Sequence, residues 1–291
     1  MSRRNGAQSW VGIITDQSGR AEASTGPILA RMASPDTALR RSIDVLISLT
    51  ISDLKVRYGR GGWRLVKWIV DPFALVGVYL VLVTLVLDRP GEAPGLSLAC
   101  AVIPFQLFTT TIVNAMSAVA ARRSIVLNMG FNRTLLPLSG ALTETVAFAA
   151  SLLLLALMMV VYGVAPTPSI LWLPVAIAAT ILLAIGVAYP AALLGIWMPE
   201  IGNFVMSFVR VLFFIAPGLV ALSQISGDAH DLLMINPMTG LFESYRDALL
   251  YGDAPGAVEL LYPAALGVVL LAVFVPIFRS EQRQFAKILE F

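Results

Sequence analysis

Apolar residues in this 291-residue chain gather into six long runs, at about 68–87, 96–121, 135–161, 170–197, 201–222 and 260–278. Breakers part them: Asp-Arg-Pro-Gly at 88–91, a Gly- and Pro-rich link at 162–169, and Met-Pro-Glu at 198–200. A helix crossing a bilayer needs roughly 20 consecutive apolar residues, and each run approaches or passes that length. From Thr145 to Pro199 no residue is charged. Water could not solvate such a stretch in a soluble fold, whereas two membrane helices and a tight turn absorb it. The pattern predicts an all-α integral membrane protein with six transmembrane helices.

Two further segments carry a different pattern. Over Arg41–Tyr58, Asp44, Ser48, Ser52 and Lys55 make a polar stripe at helical spacing, while Ile43, Leu46, Ile47 and Leu54 fall elsewhere on the wheel. The spacing predicts an amphipathic helix along the cytoplasmic membrane surface, or a plain anchor before the first span. The stretch from Ser223 to Glu259 is long and semi-apolar for a loop, which argues for structure of its own. Asn236-Pro237 reads as a helix start and Tyr251-Gly252 as its stop. Leu241, Tyr245, Ala248 and Leu249 would share one face, opposite Glu243 and Asp247. The piece at 231–235 could dip back into the bilayer, where irregular backbone is tolerated only against protein or a water-filled path.

Composition agrees: 58% of residues are hydrophobic and 13% charged, against about a quarter charged in soluble domains. Charge placement orients the chain. Eleven basic residues precede the first run, Arg122, Arg123 and Arg133 lie between the second and third, and Arg279, Arg283 and Lys287 follow the last. Only Arg89 and Arg246 fall on the other side, with Arg210 inside the fifth run. The excess of Lys and Arg places both termini in the cytoplasm. Residues 1–38, polar and without an apolar signal core, read as a disordered cytoplasmic tail.

Candidate chemistry is sparse. One cysteine, Cys100, and one histidine, His230, exclude an internal disulfide framework and a Cys/His metal site. No G-x-x-x-x-G-K-[ST] phosphate loop and no G-x-S-x-G elbow occur, so nucleotide binding and serine hydrolysis in their usual forms are excluded. Asp228, His230 and Asp231 read as a solvated loop rather than a catalytic group. Burying Glu144 and Arg210 inside spans is costly, so they either pair, line a polar path or snorkel to headgroups. The second and fifth runs carry Phe105, Gln106, Phe108, Phe204, Phe208, Phe213 and Phe214, whose rings either line a path, stacking on sugar faces, or simply pack.

Five motifs in order resemble a known family. Asp53-Leu54-Lys55-Val56-Arg57-Tyr58 is similar to the D-L-K-x-R-Y element of type-2 ABC exporter permeases for O-antigen, capsular polysaccharide and teichoic acid. Ile103-Pro104-Phe105-Gln106-Leu107-Phe108 resembles L-P-W-x-F-F, and Phe131-Asn132-Arg133 with Leu135-Leu136-Pro137-Leu138 resembles F-P-R-x-x-L-P-L. Asn236-Pro237-Met238-Thr239-Gly240-Leu241-Phe242-Glu243 resembles N-P-M-x-x-L-I-E, and the ending from Phe278 to Ala286 resembles F-x-x-x-E-x-x-F-A. Asn132 replaces the family's Pro, and the Met198–Gly202 link lacks its basic element.

The resemblance implies a permease subunit and no enzyme. Two copies would form the pore above two separate ATPase subunits, which bind the ATP and Mg; this chain would hold no cofactor or metal and contact no nucleic acid. Cargo would be a lipid-linked glycan, moved out of the bacterial inner membrane, with membrane lipid around the helices. By analogy Asp53, Leu54, Lys55, Arg57, Tyr58, Asn128, Phe131 and Arg133 would meet the ATPase, in an interface helix at 39–64 and a turn at 124–133. Trp68, Phe105, Phe108, Glu144, Phe204, Phe208 and Arg210 would line the substrate path within the transmembrane domain at 65–291. Asn236, Pro237, Leu241, Glu243, Tyr245 and Arg246 would form an extracellular gate within 223–256, and 279–291 would be a cytoplasmic tail. The same fold exporting a drug or lipid, and a membrane enzyme acting on lipid-linked substrates, are the alternatives.

Overall fold

The computed structural model describes residues 35–58, 63–82, 85, 93–123, 126, 131–219, 221–222, 232–282 and 284–285. Side chains at 35–38, 57–58, 63–69 and 71–72 lie outside the description. The chain divides into two units, Met1–Val45 and Leu46–Phe291. In the first, the described residues are the opening of helix α1 (Pro35–Tyr58), with Leu39 and Ile43 exposed. The helix starts before the expected residue 39, on Pro35, whose fixed φ suits a first turn.

The second unit continues α1 and adds α2 (Trp63–Val81), α3 (Pro94–Ser117), α4 (Leu135–Tyr162), α5 (Leu173–Trp197), α6 (Gly202–Ile215), α7 (Pro237–Arg246) and α8 (Ala257–Glu281). Short 3-10 turns occupy Ala120–Arg122, Pro168–Trp172 and Pro199–Ile201, and a π turn, Asp247–Tyr251, prolongs α7. Among the described residues four helices are long and apolar enough to cross a membrane: α3, α4, α5 with its leading turn, and α8.

Two expected spans, at 68–87 and 201–222, are not among these four. α2 has 19 described residues but carries Arg64, Lys67 and Asp71. α6 has 14, about 21 Å of helix, short of the roughly 30 Å hydrocarbon core. The run at 201–222 is not one helix because Pro217 disfavours helical backbone at Ala216, which sits at φ −83° and ψ 37°. Gly218 then turns tightly against the Phe213 ring, which a Cβ there would meet at 2.5 Å.

α3 is the central helix: 67% of its most apolar stretch is buried, against 28% for α4 and 17% for α8. It packs on α2, α4, α5, α6 and α7, and α5 packs in turn on α8. Close approach depends on glycine. A Cβ on Gly195 of α5 would lie 2.0 Å from the Met116 carbonyl of α3, and one on Gly186 would lie 2.6 Å from the Gly267 carbonyl of α8. Small residues let membrane helices gain dispersion contacts where no water is expelled.

Candidate functional site

Two places concentrate polar groups: the surroundings of α7, and a cavity where α1, α3 and α4 meet.

α7 begins as its sequence predicts. The Asn236 carboxamide oxygen accepts from the Met238 N–H at 3.0 Å, satisfying a free donor of the first turn. Asn236 Nδ2 donates to the Leu212 carbonyl of α6 at 3.0 Å, tying the cap to that helix. The element ends at Gly252, in the left-handed region at φ 76°.

The expected amphipathic division of α7 is overturned. Every residue from Met238 to Arg246 is buried, Glu243 included, because α3, α5 and α8 surround the helix. Arg246 is 0% exposed. Its Nη1 donates to Glu243 Oε1 at 2.6 Å, its Nη2 to the Gly218 carbonyl at 3.2 Å, and both reach the Pro217 carbonyl at 3.4 Å. Nε donates to Ser97 Oγ at 3.2 Å. Glu243 Oε1 also accepts from the Leu222 N–H at 2.9 Å. This ion pair thus supplies partners to the Pro217 and Gly218 carbonyls and to the Leu222 N–H, beyond the end of α6. Nearby, Tyr245 and Thr180 of α5 share a hydrogen bond of 3.2 Å, and Ser169 donates to the Ala248 carbonyl at 3.0 Å.

Asp247, just beyond α7 and outside the four long apolar helices, has its carboxyl pushed up to about 7. Burial is the main cause, followed by the negative charges of Glu259, Glu243 and Asp253.

Of the expected path residues, Phe105 closes on Phe213 at 4.8 Å between ring centroids and on Phe242 at 6.4 Å, while Tyr79 stacks on Phe213 at 5.3 Å. Phe108 is buried in the core. The Phe105 ring is half-buried beside these aromatic neighbours. Phe204, Phe208 and Arg210 are exposed on α6, and only Val209 and Phe213 of that helix are buried. The Trp68 side chain lies outside the described residues.

Glu144 is buried and its Oε1 accepts from Asn114 Nδ2 at 2.6 Å. Both line a cavity of about 560 Å³ with Leu49, Ser52, Asp53 and Val56 of α1 and with Ser117, Arg122 and Thr143. Asp53, expected at a partner surface, pairs with Arg122 of its own chain, the side chains 24% and 13% exposed. Leu54 is half-buried and Lys55 exposed, and the side chains of Arg57 and Tyr58 lie outside the description. Arg133 donates to the Val126 carbonyl at 3.1 Å and to that of Gln282, tying the turn before α4 to the end of α8; Phe131 beside it is half-buried. Asn132 accepts from the Thr134 N–H at 3.1 Å and hydroxyl at 2.7 Å, an Asx turn that leads into α4 without the family's Pro. Asn128 and the Asp228–His230–Asp231 cluster lie outside the described residues.

Sequence reasoning missed the Glu243–Arg246 hub. Its signal was an acid and a base three apart in a chain that is 13% charged, with serine and threonine set into otherwise apolar helices.

The class these features define is a multi-pass helical membrane protein that buries an ion pair beside a broken helix. No protein-family model matches the chain. It is 29% identical over 246 residues to an O-antigen export system permease protein of Myxococcus xanthus, covering 84% of this chain and 94% of that one. A Klebsiella pneumoniae O-antigen export system permease protein is 25% identical, over 84% of this chain and 95% of its own length. An Escherichia coli polysialic acid transport protein is 24% identical, over 81% and 92%. These relatives are type-2 ABC exporter permeases, named for O-antigen export or polysialic acid transport.

Proposed function

We propose that this chain is the membrane-spanning permease subunit of an ATP-driven exporter that moves a lipid-linked polysaccharide or wall polymer outward from the cytoplasm. The observation that carries this reading is homology to O-antigen export permeases over 84% of this chain and more than nine-tenths of theirs. Two copies form the pathway, and two ATPase subunits bind the ATP and Mg for which this chain has no phosphate loop.

Six spans follow when α2 and α6 join the four long helices, with both termini cytoplasmic by the excess of basic residues on that side. α7 with its π turn acts as the outer gate. Ser169, at the outer start of α5, bonds the end of this element. Phe242 within it meets Phe105, eleven residues and about 17 Å into α3. Such a helix descends well into the bilayer, where irregular backbone needs protein partners, and Glu243 and Arg246 supply them. On the inner side, the second half of α1 and the turn at 124–133 receive the push of the ATPase. Arg133 passes it to the end of α8.

The test is purification of the full chain from its own membranes. Co-purification of an ATPase subunit carrying the phosphate loop, and a lipid-linked glycan accumulating inside cells that lack the chain, are the expected results. Recovery of the chain without any ATPase overturns the reading.

A further inference from the structure

α8 is fastened at both ends. At its C-terminal end three elements meet. Phe278 and, beyond the last turn, Phe285 are fully buried, and their rings meet edge to face at 5.0 Å between centroids. Phe278 also meets the ring of Tyr189 of α5 at 5.9 Å. The Tyr189 hydroxyl donates to the carbonyl of Thr134, just before α4, at 3.1 Å. Arg133 closes the circuit by donating to the Gln282 carbonyl and, at 3.1 Å, to the carbonyl of the buried Val126. One aromatic and hydrogen-bonded clasp thus joins the turn ahead of α4 to the ends of α5 and α8.

At its other end α8 touches the backbone of α7 directly. A Cβ on Gly240 would lie 2.8 Å from the Glu259 Cα and from its carbonyl oxygen, so only glycine admits the approach. Pro263, four residues on, has no N–H to offer the Glu259 carbonyl, which instead lies against Gly240. The Tyr262 hydroxyl donates to the Ile235 carbonyl at 2.8 Å, holding the chain ahead of α7 to the same stretch of α8. Between the two ends, a Cβ on Gly267 would lie 2.7 Å from the Leu182 carbonyl of α5, the counterpart of the Gly186 contact. α8 is one helix throughout, and Phe278 lies about 29 Å along its axis from Glu259.

We propose that α8, backed by α5, is the rod that carries the push of the ATPase from the turn ahead of α4 to α7, so that the outer gate is worked from the inner face. Phe285 and Tyr189 are the positioning residues at its inner end. The inference rests on the exporter reading above, which supplies the ATPase, the gate and the orientation. Coupling between distant sites travels through packed side chains, bonded networks and rigid elements. All three are present here in series. Close-packed interiors transmit strain rather than absorb it. At Gly240 and Gly267 backbone meets backbone, and no rotamer change can take up a shift. A displacement of the turn therefore moves α8, and α8 moves α7.

The test is thiol labelling of the full chain with its ATPase subunits in nanodiscs, where nucleotide and reagent reach both faces. Cys100 is fully buried, so the unaltered chain gives the background. The reporter is Ala248→Cys, a buried position in the π turn that prolongs α7. A water-soluble methanethiosulfonate should label it about tenfold faster during ATP turnover than without nucleotide, the mark of a population shift toward an open gate. Phe285→Ala should abolish most of that acceleration while ATP hydrolysis stays near the unaltered rate. Phe285→Leu, which keeps an apolar side chain there, should restore it. Tyr189→Phe keeps the ring against Phe278 and deletes only the bond to Thr134, so it should lower the acceleration in a chain that still assembles. Gly240→Ala should remove it from the other end. Undiminished acceleration in Phe285→Ala, or in Tyr189→Phe if the first variant does not assemble, overturns the inference. So does loss of hydrolysis in step with labelling, which makes the clasp a matter of assembly alone, and so does a reporter that ignores ATP while the ATPase turns over. A chain that brings no ATPase with it overturns the exporter reading, and this inference with it.

Discussion

Breaking the Glu243–Arg246 pair on one side should cost far more than removing both charges. Arg246→Met strips Glu243 of its 2.6 Å partner and leaves the Pro217 and Gly218 carbonyls and Ser97 without their donor. Among the described residues the carboxylate then keeps the Leu222 N–H as its hydrogen-bond donor. Losing one partner of a buried ion pair costs about 3 to 5 kcal/mol. Glu243→Gln keeps an acceptor for Leu222 and leaves the guanidinium its carbonyls, so the loss is nearer the 2 to 3 kcal/mol of about one charge-assisted hydrogen bond. Once either charge is gone, removing the other releases an uncompensated ion. The double variant should therefore fall short of additivity by at least about 2 kcal/mol. Unfolding of the purified chain in nanodiscs, followed by tryptophan fluorescence, measures all four corners of the cycle. Single costs below about 0.5 kcal/mol, or strict additivity, would refute the claim that this pair holds the backbone at Pro217, Gly218 and Leu222.

Asp247 gives a pH dependence of known sign. Its carboxyl sits at about 7 in the folded chain against an ordinary 3.8, so the folded state holds the proton more tightly. Stability should be full below pH 4 and fall as pH rises to about 7, by about 1 to 2 kcal/mol after screening of a half-buried group. Asp247→Asn should abolish that component of the melting profile. Gly195→Ala should destabilise by about 1 to 3 kcal/mol, since its Cβ meets Met116 backbone that cannot yield. Gly77→Ala, with nothing within 4 Å, should be neutral or slightly stabilising. Exchanging the charges with Asp53→Arg and Arg122→Asp should restore the roughly 1 kcal/mol lost in each single variant. If export recovers with stability, Asp53 acts through Arg122; if stability alone recovers, Asp53 meets the ATPase directly.

What the sequence disclosed, and what it hid, follows from the solvent. Helix ends were legible where their signals are local. α4 closes at Tyr162 before Gly163 at φ 68°, and α7 opens on Asn236 and stops at Gly252. The early stop of α6 was also written locally, in Pro217-Gly218, but an unbroken apolar run concealed it. Facing was not legible. On α1, Ile47 is 51% exposed and Ile51 45%, while Leu46 and Leu54 on the same helix are half-buried. The spacing sets Ile43, Leu46, Ile47 and Leu54 together, away from the polar stripe. Lipid and protein interior are equally apolar, so hydrophobic spacing cannot tell one from the other.

Polar positions carry the information that apolar ones lose. In water, Glu243 and Asp247 would mark the outer face of an amphipathic helix; in this chain Glu243 lies inside with Arg246, because irregular backbone beside it needs partners. The same inversion applies to Asn114 and Glu144, which bond each other beside a cavity rather than facing solvent at a helix surface. A side chain that hydrocarbon penalises is retained only where it satisfies backbone, matches another charge or borders water. Each polar residue inside an apolar helix of this chain therefore asks which of the three it serves. Glu243 and Arg246 serve backbone and each other. Gln106 Oε1 and Thr109 Oγ1 are buried and find no donor among the described residues, so the group each serves lies outside them.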